Sequence, residues 1–229
     1  MMLVVETSTS ACSVALFDGD RVHSRYSDQP RSHSRLVLSM IETLLEDTQV
    51  TLDAIDCLGV TVGPGSFTGL RIGFAIVQGL AFARDLPVVA VSTLETLAAS
   101  YRRRKSVVTG DLVIAVLDAR MEQFSLGGYR WTEDGWLCEI NDRLVGIDIA
   151  VQCVEESAPA VVIGDASALS RHISGPLSAN AGLFIDLYPN AIDLGALALP
   201  RRQQALPVQS IELCYLRDSG AWVKQPKVG

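Results

Sequence analysis

At 229 residues the chain has room for one large domain or two small lobes. It is 48% hydrophobic with a mean hydropathy of +0.28, which excludes a disordered polymer. Its formal charge of −7 argues against its being the main surface for a polyanion, so any bound nucleic acid must meet its positive field on a partner. The five cysteines, Cys12, Cys57, Cys138, Cys153 and Cys214, never take Cys-x-x-Cys spacing and sit mostly in apolar runs, so they read as reduced core thiols. The opening Met1-Met2-Leu3-Val4-Val5-Glu6 has no basic stretch and meets an acid too early for a signal peptide. The expected compartment is the cytoplasm.

Residues 3–5 and 12–17 read as strands joined by the polar turn Glu6-Thr7-Ser8-Thr9-Ser10, and Asp18-Gly19-Asp20 turns into a third strand around Val22. An acid at a strand end followed by hydroxyls can hold a metal-phosphate. The plainer reading, favoured on this segment alone, is a turn whose hydroxyls bond their own backbone. Residues 34–47 form a helix with Leu36, Val37, Met40, Ile41, Leu44 and Leu45 on one face, and His33 before it is a capping or surface histidine.

The apolar run 57–62 is a buried strand, and it feeds the stretch on which the chain is organised, Gly63-Pro64-Gly65-Ser66-Phe67-Thr68-Gly69. Glycines that permit positive φ, a proline of fixed φ and a capping Ser66 or Thr68 make this a tight strand-to-helix turn. The helix over 67–84 lacks a wet face: Leu70, Phe74, Val77 and Ala81 form one stripe, Ile72, Ile76, Leu80 and Ala83 another, and only Arg71, Gln78 and Arg84 suit solvent. Gly69 and Gly73 share a face on which another helix could come close, although burial inside a single lobe stays open on pattern alone. The uncharged run 72–83 is short of the ~20 apolar residues that a bilayer needs. The loop lacks the lysine of a P-loop, has one residue too many for a dinucleotide fingerprint, and misses the nucleophile-elbow spacing. Ser66 has none of His23, His33 or His172 beside it in sequence, which argues against a nucleophile.

Residues 87–91 are a strand covered on both faces, and Ser92-Thr93-Leu94-Glu95 is a capping box opening a helix that reaches about Tyr101. Arg102-Arg103-Arg104-Lys105, the only basic run, reads as a solvated loop or an RNA contact. From Leu112 the opening pattern recurs: a strand over 112–117, the acid Asp118, a polar turn, and a strand from Gln123 that runs toward the turn Thr132-Glu133-Asp134-Gly135. Two lobes, 1–106 and 107–229, each opening on a β-meander with an acid at its first strand end, is the plan of the actin-like ATPases. The remainder reads as helices near 148–154, Leu169 and 191–199, strands over 160–163 and 183–187, and a polar linker over 201–207.

The blocks Glu6-Thr7-Ser8-Thr9, Cys12-Ser13-Val14-Ala15-Leu16, Gly63 to Gly73 running on to Gln78-Gly79-Leu80-Ala81, Val91-Ser92-Thr93-Leu94, Asp118-Ala119-Arg120-Met121-Glu122 and Tyr215-Leu216-Arg217-Asp218 span the chain. In them it resembles the bacterial TsaB family of tRNA threonylcarbamoyladenosine biosynthesis proteins, also called YeaZ. That resemblance implies a two-lobed actin-like (ribonuclease H-like) α/β fold of mixed sheets flanked by helices. It also implies the role of noncatalytic sister to the enzyme TsaD, which carries threonylcarbamoyl to the adenosine beside the anticodon. The metal-binding His-x-x-x-His of the catalytic sister falls at Thr93 and Leu97, where neither side chain replaces an imidazole. The chain departs from most of the family in carrying Glu6 where an aspartate is usual, and no glycine follows the acid to admit phosphate.

The expected partner face is Phe67, Leu70, Arg71, Gly73, Phe74, Val77 and Gln78 with Leu36 and Met40 of the preceding helix. Glu6, Thr7, Ser8 and Asp118 would line a vestigial nucleotide cleft. No catalytic residue, metal or tightly held cofactor is expected on this chain, with ATP and metal on the partner. The resemblance further implies a homodimer when alone, a heterodimer with TsaD, a larger complex with the ATPase TsaE, tRNA met through the complex, and no membrane. Two rivals stand beside it: a small-molecule phosphotransferase using Glu6 and Asp118 to hold magnesium and phosphate, and a peptidase acting on the partner, for which no triad is visible.

Overall fold

A computed structural model describes residues 1–29, 33–174 and 183–216. Two five-stranded mixed sheets dominate it. In the first, β1 (Met2–Glu6) pairs antiparallel with β2 (Cys12–Asp18), which pairs with β3 (Arg21–Ser27). On its other side β1 runs parallel to β4 (Cys57–Gly63), and β4 to β5 (Val88–Ser92). The second repeats the plan with β6 (Leu112–Arg120), β7 (Gln123–Thr132), β8 (Gly135–Gly146), β9 (Val161–Gly164) and β10 (Phe184–Asp186). The orders β3-β2-β1-β4-β5 and β8-β7-β6-β9-β10 are one topology used twice, the two-lobed actin-like plan expected from the two meanders. Among the described residues, no helix is long and apolar enough to cross a membrane.

Burial explains the strand sequences. β1 and β2 are apolar without alternation because both faces are covered, by α1 (His33–Thr48) and α2 (Phe67–Arg84) on one side and α6 (Ala191–Ala198) on the other. β3, the sheet edge, is largely exposed. In the second sheet α4 (Ile147–Ser157) and α5 (Ala166–Ser170) cover one face, and α3 (Thr93–Arg104) covers the other. The boundary at 106/107 falls between the last residue of α3 and β6. Even so α6 and the short 3₁₀ helices at Leu199–Gln204 and Val208–Ser210 return to the first sheet. Residues 201–207 are therefore not a bare linker, since Arg201 pairs with Glu95 of α3.

α3 joins the lobes. Ser92 caps it by accepting from the amides of Leu94 and Glu95, and the same hydroxyl donates to Asp142 of β8, which also accepts from Tyr129 of β7. At the other end Asp193 of α6 accepts from Ser100 (2.8 Å) and from Arg103 Nε (2.8 Å). The basic run is thus not a loop: Arg102 to Arg104 close α3, Arg102 stacks over Trp131 at 3.7 Å and Arg103 is held by Asp193. Two of the four basic side chains are thus engaged within the chain, while all four remain exposed.

Asp142 is half-way between anchor and liability, since burial raises its pKa while Ser92 and Tyr129 lower it. Replacing it with alanine leaves two hydroxyls without their acceptor. Asp142→Ala is expected to lower stability by roughly 2–4 kcal/mol, read as a reduced urea midpoint at unchanged slope. A parental midpoint would show that the lobes are not joined there.

Candidate functional site

The polar turn after β1 is buried from Glu6 to Thr9 and reaches the surface at Ser10. Glu6, Thr7 and Ser8 are each no more than 1% exposed, and their hydrogen bonds are made inside the chain. Glu6 Oε1 accepts from the Ser8 amide (2.7 Å), the Ser8 hydroxyl and Thr61 Oγ1 of β4 (3.2 Å). Thr7 Oγ1 donates to the carbonyl of Gly69 at 2.8 Å, and the Ser66 amide donates to the carbonyl of Ser8 at 2.7 Å. The glycine-rich loop exists for this contact. A Cβ on Gly69 would lie 2.1 Å from the Thr7 carbonyl oxygen, and one on Gly73 would lie 2.2 Å from Thr7 Oγ1, so α2 can rest on the turn only where side chains are missing.

This corrects the expected partner face. Gly69 and Gly73 face the β1–β2 turn of their own chain, and Leu70 and Val77 are fully buried in it. Phe74, Met40 and Leu36 are half-buried, the first two against the first core, and Gln78 is half-buried. Phe67 and Arg71 are exposed: the Arg71 guanidinium lies 3.7 Å from the Phe67 ring centroid, and its Nε donates to the Tyr215 hydroxyl at 3.1 Å. The exposed face runs instead through Phe67, Arg71, Ala75, Gly79 and Phe82, apolar but for Arg71, and Leu38 of α1 is exposed as well. Phe67 and Phe82 are more than half exposed, and nothing lies within 4 Å of a Cβ on Gly79. The exposure of Ala75, Gly79, Phe82 and Leu38 was not anticipated from the sequence, although 75 and 79 carry the same small-residue spacing as 69 and 73.

The acids are not brought together in one open cleft. A cleft of about 400 Å³ lies between the lobes, lined by Tyr26, Arg104, Asp118, Arg120, Arg171 and Asp186 among others. Glu6, Thr7 and Ser8 are not among its lining residues. The Asp118 amide donates to Asp165 (2.8 Å), and its carboxylate accepts from the backbone amide and guanidinium of Arg120. The β6–β7 turn that follows places Arg120, Met121 and Glu122 at left-handed φ of 66°, 53° and 59°, a cost of about 1–2 kcal/mol each that nothing in the sequence signals. Thr93 and Leu97, the positions aligned with the catalytic sister's histidines, are fully buried at the start of α3. His33 is also buried, its Nε2 3.0 Å from the Ala11 carbonyl oxygen. Cys12 and Cys57 are core thiols as expected, whereas Cys138 is exposed. Arg217 and Asp218 lie outside the described residues.

With this geometry in place, the relatives are informative. The sequence model of the TsaD family, tRNA N6-adenosine threonylcarbamoyltransferase, matches residues 25–147, which places the chain in the class of threonylcarbamoyltransferase-related actin-like proteins. The chain is 32% identical over 233 residues to the tRNA threonylcarbamoyladenosine biosynthesis protein TsaB of Escherichia coli strain K12, covering 98% of each. It is 26% identical over 235 residues to the protein of that name from Bacillus subtilis strain 168, covering 99% of each. The solved structure of YeaZ from Pseudomonas aeruginosa aligns with a TM-score of 0.81 at 31% identity, covering 94% of this chain and 99% of that one. The chain belongs to the TsaB family.

Burial lifts Glu6 from an ordinary 4.5 to about 7, against the opposing pull of its hydrogen bonds from Ser8 and Thr61. An acid whose pKa rises on folding holds its proton more tightly when folded. Its contribution is therefore fully present below about 4.5 and lost as pH rises through about 7, a swing of roughly 3 kcal/mol. Glu6→Gln, which cannot ionise, is expected to flatten the stability profile across this interval and to exceed the parent at pH 8. Parallel profiles for the two proteins would contradict the assignment.

Proposed function

We propose that this chain is the noncatalytic accessory subunit of a tRNA threonylcarbamoyl transferase. It pairs through the exposed face of α2, flanked by α1, with a TsaD-type sister that modifies the adenosine beside the anticodon. The observation that carries the reading is the exposed face Phe67, Arg71, Ala75, Gly79 and Phe82, apolar except for Arg71, which stacks on Phe67, on a helix whose Leu70, Gly73, Val77 and Ala81 are packed inside. A lone exposed leucine is ordinary, but an aligned apolar stripe with small residues at its centre suits close helix-to-helix contact. The TsaD family model spans α1, α2 and α3, so a sister of that family has counterparts to these helices and a near-symmetric pair can oppose like to like. Without the sister, the same face pairs two copies of this chain.

The inward-turned Glu6 and the buried Thr93 and Leu97 speak against chemistry in this chain's own cleft, so ATP and metal are assigned to the partner. The acidic net charge fits a subunit that meets tRNA through the complex, with TsaE as the further ATPase and the cytoplasm as its compartment. The phosphotransferase and peptidase readings gain no observation.

The test replaces Ala75 with arginine, because Gly73 faces inward and would report on folding instead. Ala75→Arg is expected to be monomeric by light scattering, unchanged by circular dichroism, and inactive in supporting modification in a reconstituted system. Asp118→Asn is expected to support modification at close to the parental rate. Normal modification with Ala75→Arg, or its loss with Asp118→Asn, would overturn the reading.

A further inference from the structure

The acid at the end of β1 stands where a cleft-facing carboxylate is expected, yet the bonds it makes are to its own turn and to β4. Three donors converge on one oxygen of Glu6: the Ser8 amide, the Ser8 hydroxyl and Thr61 Oγ1. The first two close the turn on itself, and the third ties it to β4, the strand that leads into α2. The other oxygen, Oε2, is buried with no hydrogen-bond partner among the described residues. The carboxyl is thus spent on shape, with one oxygen saturated and the other reaching nothing.

What the turn holds is the start of α2. The Ser8 carbonyl accepts from Ser66, the residue that caps the helix, and Thr7 reaches the carbonyl of Gly69 one turn further on. Thr7 then fills the space left by the absent Cβ of Gly73, another turn along. Successive contacts at 66, 69 and 73 fix both the height and the rotation of the helix. The stripe through Ala75 and Gly79 lies roughly a third of a turn around the helix from Gly69 and Gly73. Its aim is therefore set by how α2 sits on Thr7 and Ser8.

We propose that Glu6 is the positioning residue of the docking helix: through Ser8 and Thr61 it sets the β1–β2 turn, and the turn sets the rotation at which α2 presents Ala75 and Gly79 to a second helix. The inference rests on the docking reading above and adds the part of the chain that aims it. Shape, not charge, is the requirement. Glutamine keeps an accepting oxygen at the same reach, whereas alanine keeps none.

The experiment uses the full chain and two readouts, the self-association constant by sedimentation velocity and amide hydrogen exchange at Ser66 by NMR. Thr7→Val, close to isosteric, removes the bond to Gly69, and Glu6→Ala removes the anchor of the turn. Each is expected to weaken self-association by at least about fivefold, the worth of one buried hydrogen bond, and to speed exchange at Ser66. Glu6→Gln is expected to stay within about twofold of the parent, a rescue that simple loss of packing would not show. Should Glu6→Ala fail to fold, Thr7→Val and Glu6→Gln still decide the matter. Parental association by Thr7→Val, or association by Glu6→Gln weakened as much as by alanine, would overturn the proposal. Ala75→Arg, measured alongside, separates the two claims. If it dissociates the pair while the Glu6 and Thr7 variants do not, only the positioning role fails, and if it leaves the mass unchanged the docking face is wrong and this proposal falls with it.

Discussion

The structure depends on how a buried polar turn is satisfied. Taking Glu6, Thr7 and Ser8 out of water would cost several kcal/mol for each unpaired group, so their bonds must be supplied from within. For Thr7 and Ser8 the glycines of the loop and of the first turns of α2 allow this by bringing backbone to within 2.8 Å, and for Glu6 the bonds to one oxygen come from Ser8 and Thr61. That close approach commits one face of α2 to its own chain, commits Leu70 and Val77 to the core, and leaves outside a mostly apolar face interrupted by Arg71. The glycine-rich motif that looks like a phosphate loop is thus a packing device, and the surface available to partners is what remains after it has been used.

The relation of the lobes follows the same economy of buried bonds. Beside the cleft between the lobes, Ser92, Tyr129 and Asp142 at one end of α3, and Ser100, Arg103 and Asp193 at the other, stitch the lobes through shared side chains. A carboxylate that satisfies two hydroxyls in a half-buried site loses both if the lobes part.

Much of the fold was legible in the sequence because period and burial coincide there. The uninterrupted apolar strands announced sheets covered on both faces, the capping residues Ser66 and Ser92 marked helix starts, and the recurrence of strand, acid and turn at Glu6 and Asp118 announced the duplication. The partner face was legible only in part. Small residues four apart recur on α2, at 69 and 73, at 75 and 79 and at 79 and 83, and local pattern assigns each pair equally to a close approach. Only the position of the β1–β2 turn decides which pair is already occupied. The lobe clasp at Asp142 was hidden for a similar reason, since an acid within a strand looks solvated until Ser92 is brought to it from 50 residues away.

The account claims that the exposed stripe of α2 is the surface that meets the sister subunit. A photo-reactive side chain placed singly at positions 75, 79 and 82, and at the exposed Met121 and Leu137 as comparisons, tests this directly in a mixture with purified TsaD. The account predicts crosslinks to TsaD from 75, 79 and 82 and none from 121 or 137. Crosslinks confined to 121 or 137 would contradict it.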